Sequence, residues 1–94
     1  MIVVRNCFIA KPGQASKLAA QIKDAVGSSK LGNFRVLTDI TGEFNRVILE
    51  HEAENLTAFE AALKDYATNA AFREKMKGYT ESWISGSREI LQIV

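Results

Sequence analysis

Four runs of this chain read as strands yet stay apolar on both faces: residues 2–9, 34–40, 44–52 and 88–94. Helical stretches separate them in a β-α-β-β-α-β order. A sheet with one face in water alternates apolar with polar residues along each strand. These runs do not, so both faces call for cover. Right-handed crossovers place both helical segments on the same face. The chain is too short to cover the other, so a second copy is expected against it.

The local signals are consistent with that order. Residues 2–9 are rich in β-branched and aromatic side chains, which suit a buried pleated surface. Lys11-Pro12-Gly13 breaks the run, because proline lacks a ladder N–H and glycine frees the backbone. Ala15, Leu18, Ile22, Ala25 and Val26 then recur at helical spacing, which predicts a helix over 14–26. Gly27 suits a left-handed cap, and residues 30–33 turn into the second strand. Thr41-Gly42-Glu43 joins residues 34–40 to 44–52 as an antiparallel hairpin. Asn55 is an N-cap for a helix carrying Leu56, Phe59, Leu63, Tyr66 and Ala70. Thr68-Asn69 breaks that helix and caps a further stretch. Phe72, Met76, Tyr79 and Trp83 continue the helical spacing, which places Trp83 at the end of the helical region. Ser85-Gly86-Ser87 ends it. The whole forms a split β-α-β unit, one ferredoxin-like α+β domain over 1–94 with a four-stranded antiparallel sheet in the order β4-β1-β3-β2.

Alternate strand residues point to opposite faces. One set holds Ile2, Val4, Asn6, Phe8, Phe34, Val36, Thr38, Ile40, Val47, Leu49, His51, Ile90, Gln92 and Val94, and is assigned to the helices. The other mixes Val3, Ile9, Leu37, Ile48, Leu91 and Ile93 with Cys7 and with Arg5, Arg35, Arg46, Asp39, Glu50 and Glu89. Burying ~500 Å² of that second face contributes on the order of 12 kcal/mol before association costs. Left bare it is an adhesive patch. A homodimer through this sheet face is expected, with the arginines and carboxylates as ion pairs between the two chains.

Composition narrows the function classes. Net charge is +1, from 12 basic and 11 acidic side chains scattered along the chain. That balance lacks the clustered positive field of a nucleic-acid or anionic-membrane binder. No apolar run approaches the ~20 residues of a membrane span. The N-terminus reads as strand rather than signal peptide. Cys7 is the sole cysteine, so neither an internal disulfide nor a cysteine-based zinc site is expected. A cytoplasmic protein is expected.

The opening Met1-Ile2-Val3-Val4-Arg5-Asn6, the central Arg35-Val36-Leu37-Thr38-Asp39-Ile40-Thr41-Gly42, the strand pair Leu49-Glu50, the helix start Asn55-Leu56-Thr57-Ala58-Phe59-Glu60 and the closing Ser87-Arg88-Glu89-Ile90 carry a resemblance. In these the chain resembles the dimeric α/β-barrel superfamily, and within it the NIPSNAP-like branch. The resemblance implies two ferredoxin-like sheets paired face to face. The superfamily also includes antibiotic-biosynthesis-type monooxygenases, lactone isomerases and haem-degrading enzymes, so fold alone does not select an activity. Haem-degrading members use an asparagine on the first strand, a helical histidine and a helical tryptophan. Only Asn6 matches in position, since His51 is on a strand and Trp83 is too near the last strand.

Candidate site residues follow from their chemistry. Asn6 is a polar residue among Ile2, Val4 and Phe8, placed to bond a carbonyl or enolate, or else a neighbouring polar group. His51 is the only histidine, a proton shuttle near neutral pH or a structural residue. Tyr66, Tyr79 and Trp83 line an aromatic ligand pocket or form an ordinary core stripe. Cys7 reads as a small buried hydrophobe rather than a reactive thiolate. There is no glycine-rich phosphate loop, metal-spaced motif or nucleophilic triad, so no cofactor and no metal is expected. The expected function is that of a small stand-alone NIPSNAP-like domain of unassigned activity, with a small organic ligand, hydrophobic or aromatic, as the candidate occupant between helices and sheet. The alternatives are a cofactor-independent monooxygenase or isomerase, with Asn6 orienting and His51 as base, and a structural or interaction module.

Overall fold

The computed structural model of the chain describes residues 1–29 and 33–94. Its elements are β1 (Ile2–Ala10), α1 (Ala15–Gly27), β2 (Phe34–Thr38), β3 (Arg46–Ala53), α2 (Leu56–Thr68), α3 (Ala70–Lys75), a 3-10 turn (Tyr79–Glu81) and β4 (Trp83–Gln92). The strands form one antiparallel sheet in the order β2-β3-β1-β4, the expected arrangement read from its other edge. Of the expected turn at 30–33, Lys30, Leu31 and Gly32 lie outside the described residues.

Register fixes the two faces. Val4 lies opposite His51 and Ile90, Asn6 opposite Leu49 and Arg88, and Phe8 opposite Val47 and Gly86. This parity faces the helices, and Val4, Val47, Leu49 and His51 on it are buried. Leu18, Ile22, Ala25 and Val26 form the buried stripe of α1, as the spacing predicts. With Ala10, Val47 and Leu49, three of them build the centre of the core.

Helix boundaries follow side-chain chemistry. The Asn55 Oδ1 accepts from the Ala58 amide at 2.9 Å. The Asn69 Oδ1 accepts from the Phe72 amide at 3.0 Å, so this residue both ends α2 and starts α3. Gly27 is not the left-handed cap expected for it, since it lies within α1. The hydroxyls of Ser28 and Ser29 close that helix instead, donating to the carbonyls of Ala25 and Val26.

Strand ends depart from expectation in two places. The β2–β3 connection is longer than Thr41-Gly42-Glu43. β2 stops at Thr38 and β3 starts at Arg46, which leaves Ile40 and Phe44 exposed, so Ile40 does not reach the helix face. Asn45 just before β3 has a positive φ of 64°, a turn conformation that ends strand pairing. β4, by contrast, begins at Trp83 and not at Arg88. It runs through Ser85-Gly86-Ser87, the segment read above as a helix stop. β1 supplies the reason, because its whole length pairs with β4, from Ile2 opposite Gln92 to Ala10 opposite Trp83. Val94, expected on the helix face, lies past the strand end and is exposed.

A register shift at Ile9/Ala10 brings Trp83 to the helix side. Gly86 pairs with Phe8, Ser85 with Ile9 and Trp83 with Ala10, so one extra residue sits in β4. Such a bulge restores the alternation that an odd spacing would break. Trp83 therefore meets Phe8 edge-on with ring centroids 5.5 Å apart.

The open face carries a correction. Its arginines and carboxylates pair within the chain rather than waiting for a second one. Glu50, only 7% exposed, accepts from Arg5 Nη2 at 2.8 Å and from Arg35 Nε at 2.7 Å. Arg46 Nε donates to Asp39 at 3.0 Å, and Arg5 approaches Glu89 at 3.7 Å.

A cleft between the helices and the sheet as candidate functional site

Strand alternation sends Asn6, Leu49, His51 and Arg88 toward the helices, while α2 and α3 set aromatic residues above them. The helical layer does not fill this space completely. An inner lobe of about 160 Å³ remains. Its apolar wall includes Ile22 and Val26 from α1, Phe59 and Leu63 from α2, and Phe72 from α3. Its polar lining is Asn6, His51, Tyr66, Tyr79 and Arg88. An outer lobe of about 350 Å³ adjoins it and shares Asn6, Phe8, Tyr79 and Arg88, with Trp83, Gly86 and Ser87 completing the lining.

His51 is 3% exposed, and its ring lies 5.9 Å from that of Phe59. Its Nδ1 is buried and has no hydrogen-bond partner among the described residues. Burial pushes the imidazole pKa below the ordinary 6.5, and the positive charge of Arg88 adds to this against an opposing bond to the Glu52 backbone. The ring is therefore neutral near pH 7. Tyr66 stacks on Phe72 at 4.4 Å between centroids, and burial raises its hydroxyl pKa, with Ser29 opposing. Tyr79 stacks on Trp83 at 6.4 Å.

Arg88 is the residue the sequence reading missed. Its Nε donates to Asn6 Oδ1 at 2.6 Å, and its guanidinium lies 5.3 Å from the Phe59 ring centroid. Asn6 is thus held by a side chain rather than by backbone. The signal was parity: Arg88 is two residues before Ile90, which places a cation on the helix-facing set beside Asn6.

The structure brings Asn6, His51, Tyr66 and Tyr79 to the inner lobe and Trp83 to the outer one. Trp83 comes from the first position of β4, not from the end of a helix. Cys7 lies on the opposite face, where burial raises its thiol pKa and leaves it protonated at neutral pH. Among the described residues no group of three His, Cys, Asp or Glu side chains is arranged to hold a metal ion. No helix among them is long and apolar enough to cross a membrane.

No protein-family model matches the chain, and no curated protein matches it in sequence. Solved structures do. A NIPSNAP family protein from Agrobacterium tumefaciens superposes with a TM-score of 0.87 at 15% identity, over 99% of this chain and 85% of that one. A NIPSNAP domain protein from Burkholderia xenovorans gives 0.83 at 12% identity, over 100% of this chain and 95% of its own. A structure described as an antibiotic biosynthesis monooxygenase gives 0.73 at 13% identity, over 100% and 99%. The chain therefore has the ferredoxin-like α+β fold that NIPSNAP and antibiotic biosynthesis monooxygenase structures share.

Proposed function

We propose that this chain binds a small organic molecule in the cleft between helices and sheet, as a single domain that pairs with a second copy through its open sheet face. The observation that carries the binding reading is the inner lobe of about 160 Å³ itself, left open between the sheet and the helices with Phe59, Leu63 and Phe72 on its apolar wall and Asn6 and Arg88 on its polar side. A dry cavity near 150 Å³ accommodates about one benzene-sized ring. Chemical-shift mapping with a library of single-ring compounds tests this. Hits should move Phe59, Leu63 and Tyr66, and Leu63→Trp should abolish them by filling the lobe. Shifts confined to the open sheet face would refute the site.

Pairing is supported by exposed aliphatic residues on the uncovered face, such as Leu37 at 38% and Leu91 at 42%. Sedimentation at micromolar concentration should show a two-chain particle. A single cysteine, with no disulfide stapling so small a domain, supports a reducing, cytoplasmic compartment.

A second reading is a cofactor-independent oxygenase or isomerase. It is favoured by Asn6 and a neutral His51 lining one lobe, and by the shared fold with the monooxygenase structure. Asn6 would orient a carbonyl or enolate, and His51 would accept a proton. Oxygen uptake with a quinol panel should fall in Asn6→Ala. Unchanged uptake would dismiss this role. An interaction module without a ligand would show neither binding nor turnover.

A further inference from the structure

We propose that the molecule taken up by this cleft is a single-ring carboxylate, with its anionic end held by Arg88 at the junction of the two lobes and its ring in the inner lobe. The inference rests on the binding reading above and adds the ligand's charge and shape.

Four observations carry it. First, Arg88 is the only charged side chain among the described residues lining either lobe. Second, it has no carboxylate of its own. Arg5, Arg35 and Arg46 each pair with an acid, and none of the ion pairs among the described residues includes Arg88. Third, the guanidinium is oriented by the bond from Nε to Asn6 and by the Phe59 face. That bond uses one edge of the fork. The outer N–H groups on Nη1 and Nη2 remain to donate two parallel bonds to the oxygens of a carboxylate, which match the planar guanidinium. Fourth, the inner lobe beside Arg88 is ring-sized and has an apolar wall of Ile22, Val26, Phe59 and Leu63.

Asn6 acquires a specific part in this arrangement. It positions Arg88 rather than touching the reacting or bound atoms itself. His51 cannot offer a second cation, because burial and the charge of Arg88 hold its pKa down. The cleft therefore carries a single positive centre beside aromatic walls, a combination that selects one anionic group on one ring.

The test compares acids with their neutral amides on the unaltered protein: benzoate with benzamide, and phenylacetate with phenylacetamide. Titrations followed by Trp83 fluorescence and by amide shifts of Phe59 and Leu63 should show each acid binding at least about tenfold more tightly than its amide. Arg88→Gln should erase that preference, and Arg88→Lys should restore part of it. Acid and amide binding equally in the cleft would overturn the anion assignment while leaving the binding reading in place. No shift of cleft resonances with any of the four compounds would overturn both. Arg88→Gln keeping the acid preference would also overturn the role of Arg88.

Discussion

At the scale of single residues, the Trp83–Gly86 contact is the tightest constraint on the outer lobe. A Cβ at position 86 would sit 3.2 Å from Trp83 Cζ3 and 3.3 Å from the Cys7 carbonyl oxygen. The carbonyl belongs to the paired strand and cannot move away without disturbing the ladder. Gly86→Ala should therefore cost about 1 kcal/mol in chemical denaturation, an overpacking effect, with a shift in Trp83 emission. His51 makes a separate prediction. Its folded pKa lies below the 6.5 of a free imidazole, so the unfolded chain binds the proton more readily. Stability is full above pH 6.5 and is lost as pH falls from there through the folded value. Thermal melts between pH 8 and 5 should show this slope, and His51→Gln should flatten it (pH values chosen to bracket the imidazole, roughly one to two units either side). Glu50 acts lower on the scale. Hydrogen bonds from Arg5 and then Arg35 lower its pKa from 4.5, so its contribution holds above that value and disappears as pH drops through the folded one.

At the scale of elements, the helix starts depend on two asparagines. Asn55→Ala and Asn69→Ala should each cost about 1 kcal/mol, read from denaturant midpoints. The Asn69 variant should also loosen α3, which carries Phe72 beneath Tyr66. Both caps were legible in the sequence, because an asparagine ahead of an apolar helical stripe has few other uses. The four strands were legible as apolar runs, and their order followed from the split β-α-β pattern. The start of β4 was not legible. Ser85-Gly86-Ser87 has the composition of a turn, and only the full-length pairing with β1 makes it strand. Trp83 was named as a candidate for a pocket or a core stripe, but its element was misread, since a bulge leaves no mark in local periodicity. Arg88 escaped notice for a related reason. Its meaning comes from Asn6 and Phe59, which are distant in sequence and meet it only across the sheet and from α2.

At the scale of the whole molecule, the uncovered sheet face is the surface through which copies are proposed to pair. Leu91→Arg places a charge among the exposed aliphatic residues and should shift the sedimentation equilibrium of the proposed pair toward single chains, by about tenfold or more in dissociation constant. The ion pairs of this face were expected to bridge two molecules. Glu50 instead satisfies Arg5 and Arg35 at home, and Asp39 satisfies Arg46. Sequence alternation placed these charges on one surface but could not say whether their partners lay in the same chain. The answer bears on what brine does to the assembly. Opposite charges already matched within each molecule leave little for counterions to loosen, while sulfate and phosphate salts strengthen apolar contact. The pair should thus survive, and even tighten, where a partnership held by electrostatic attraction would come apart.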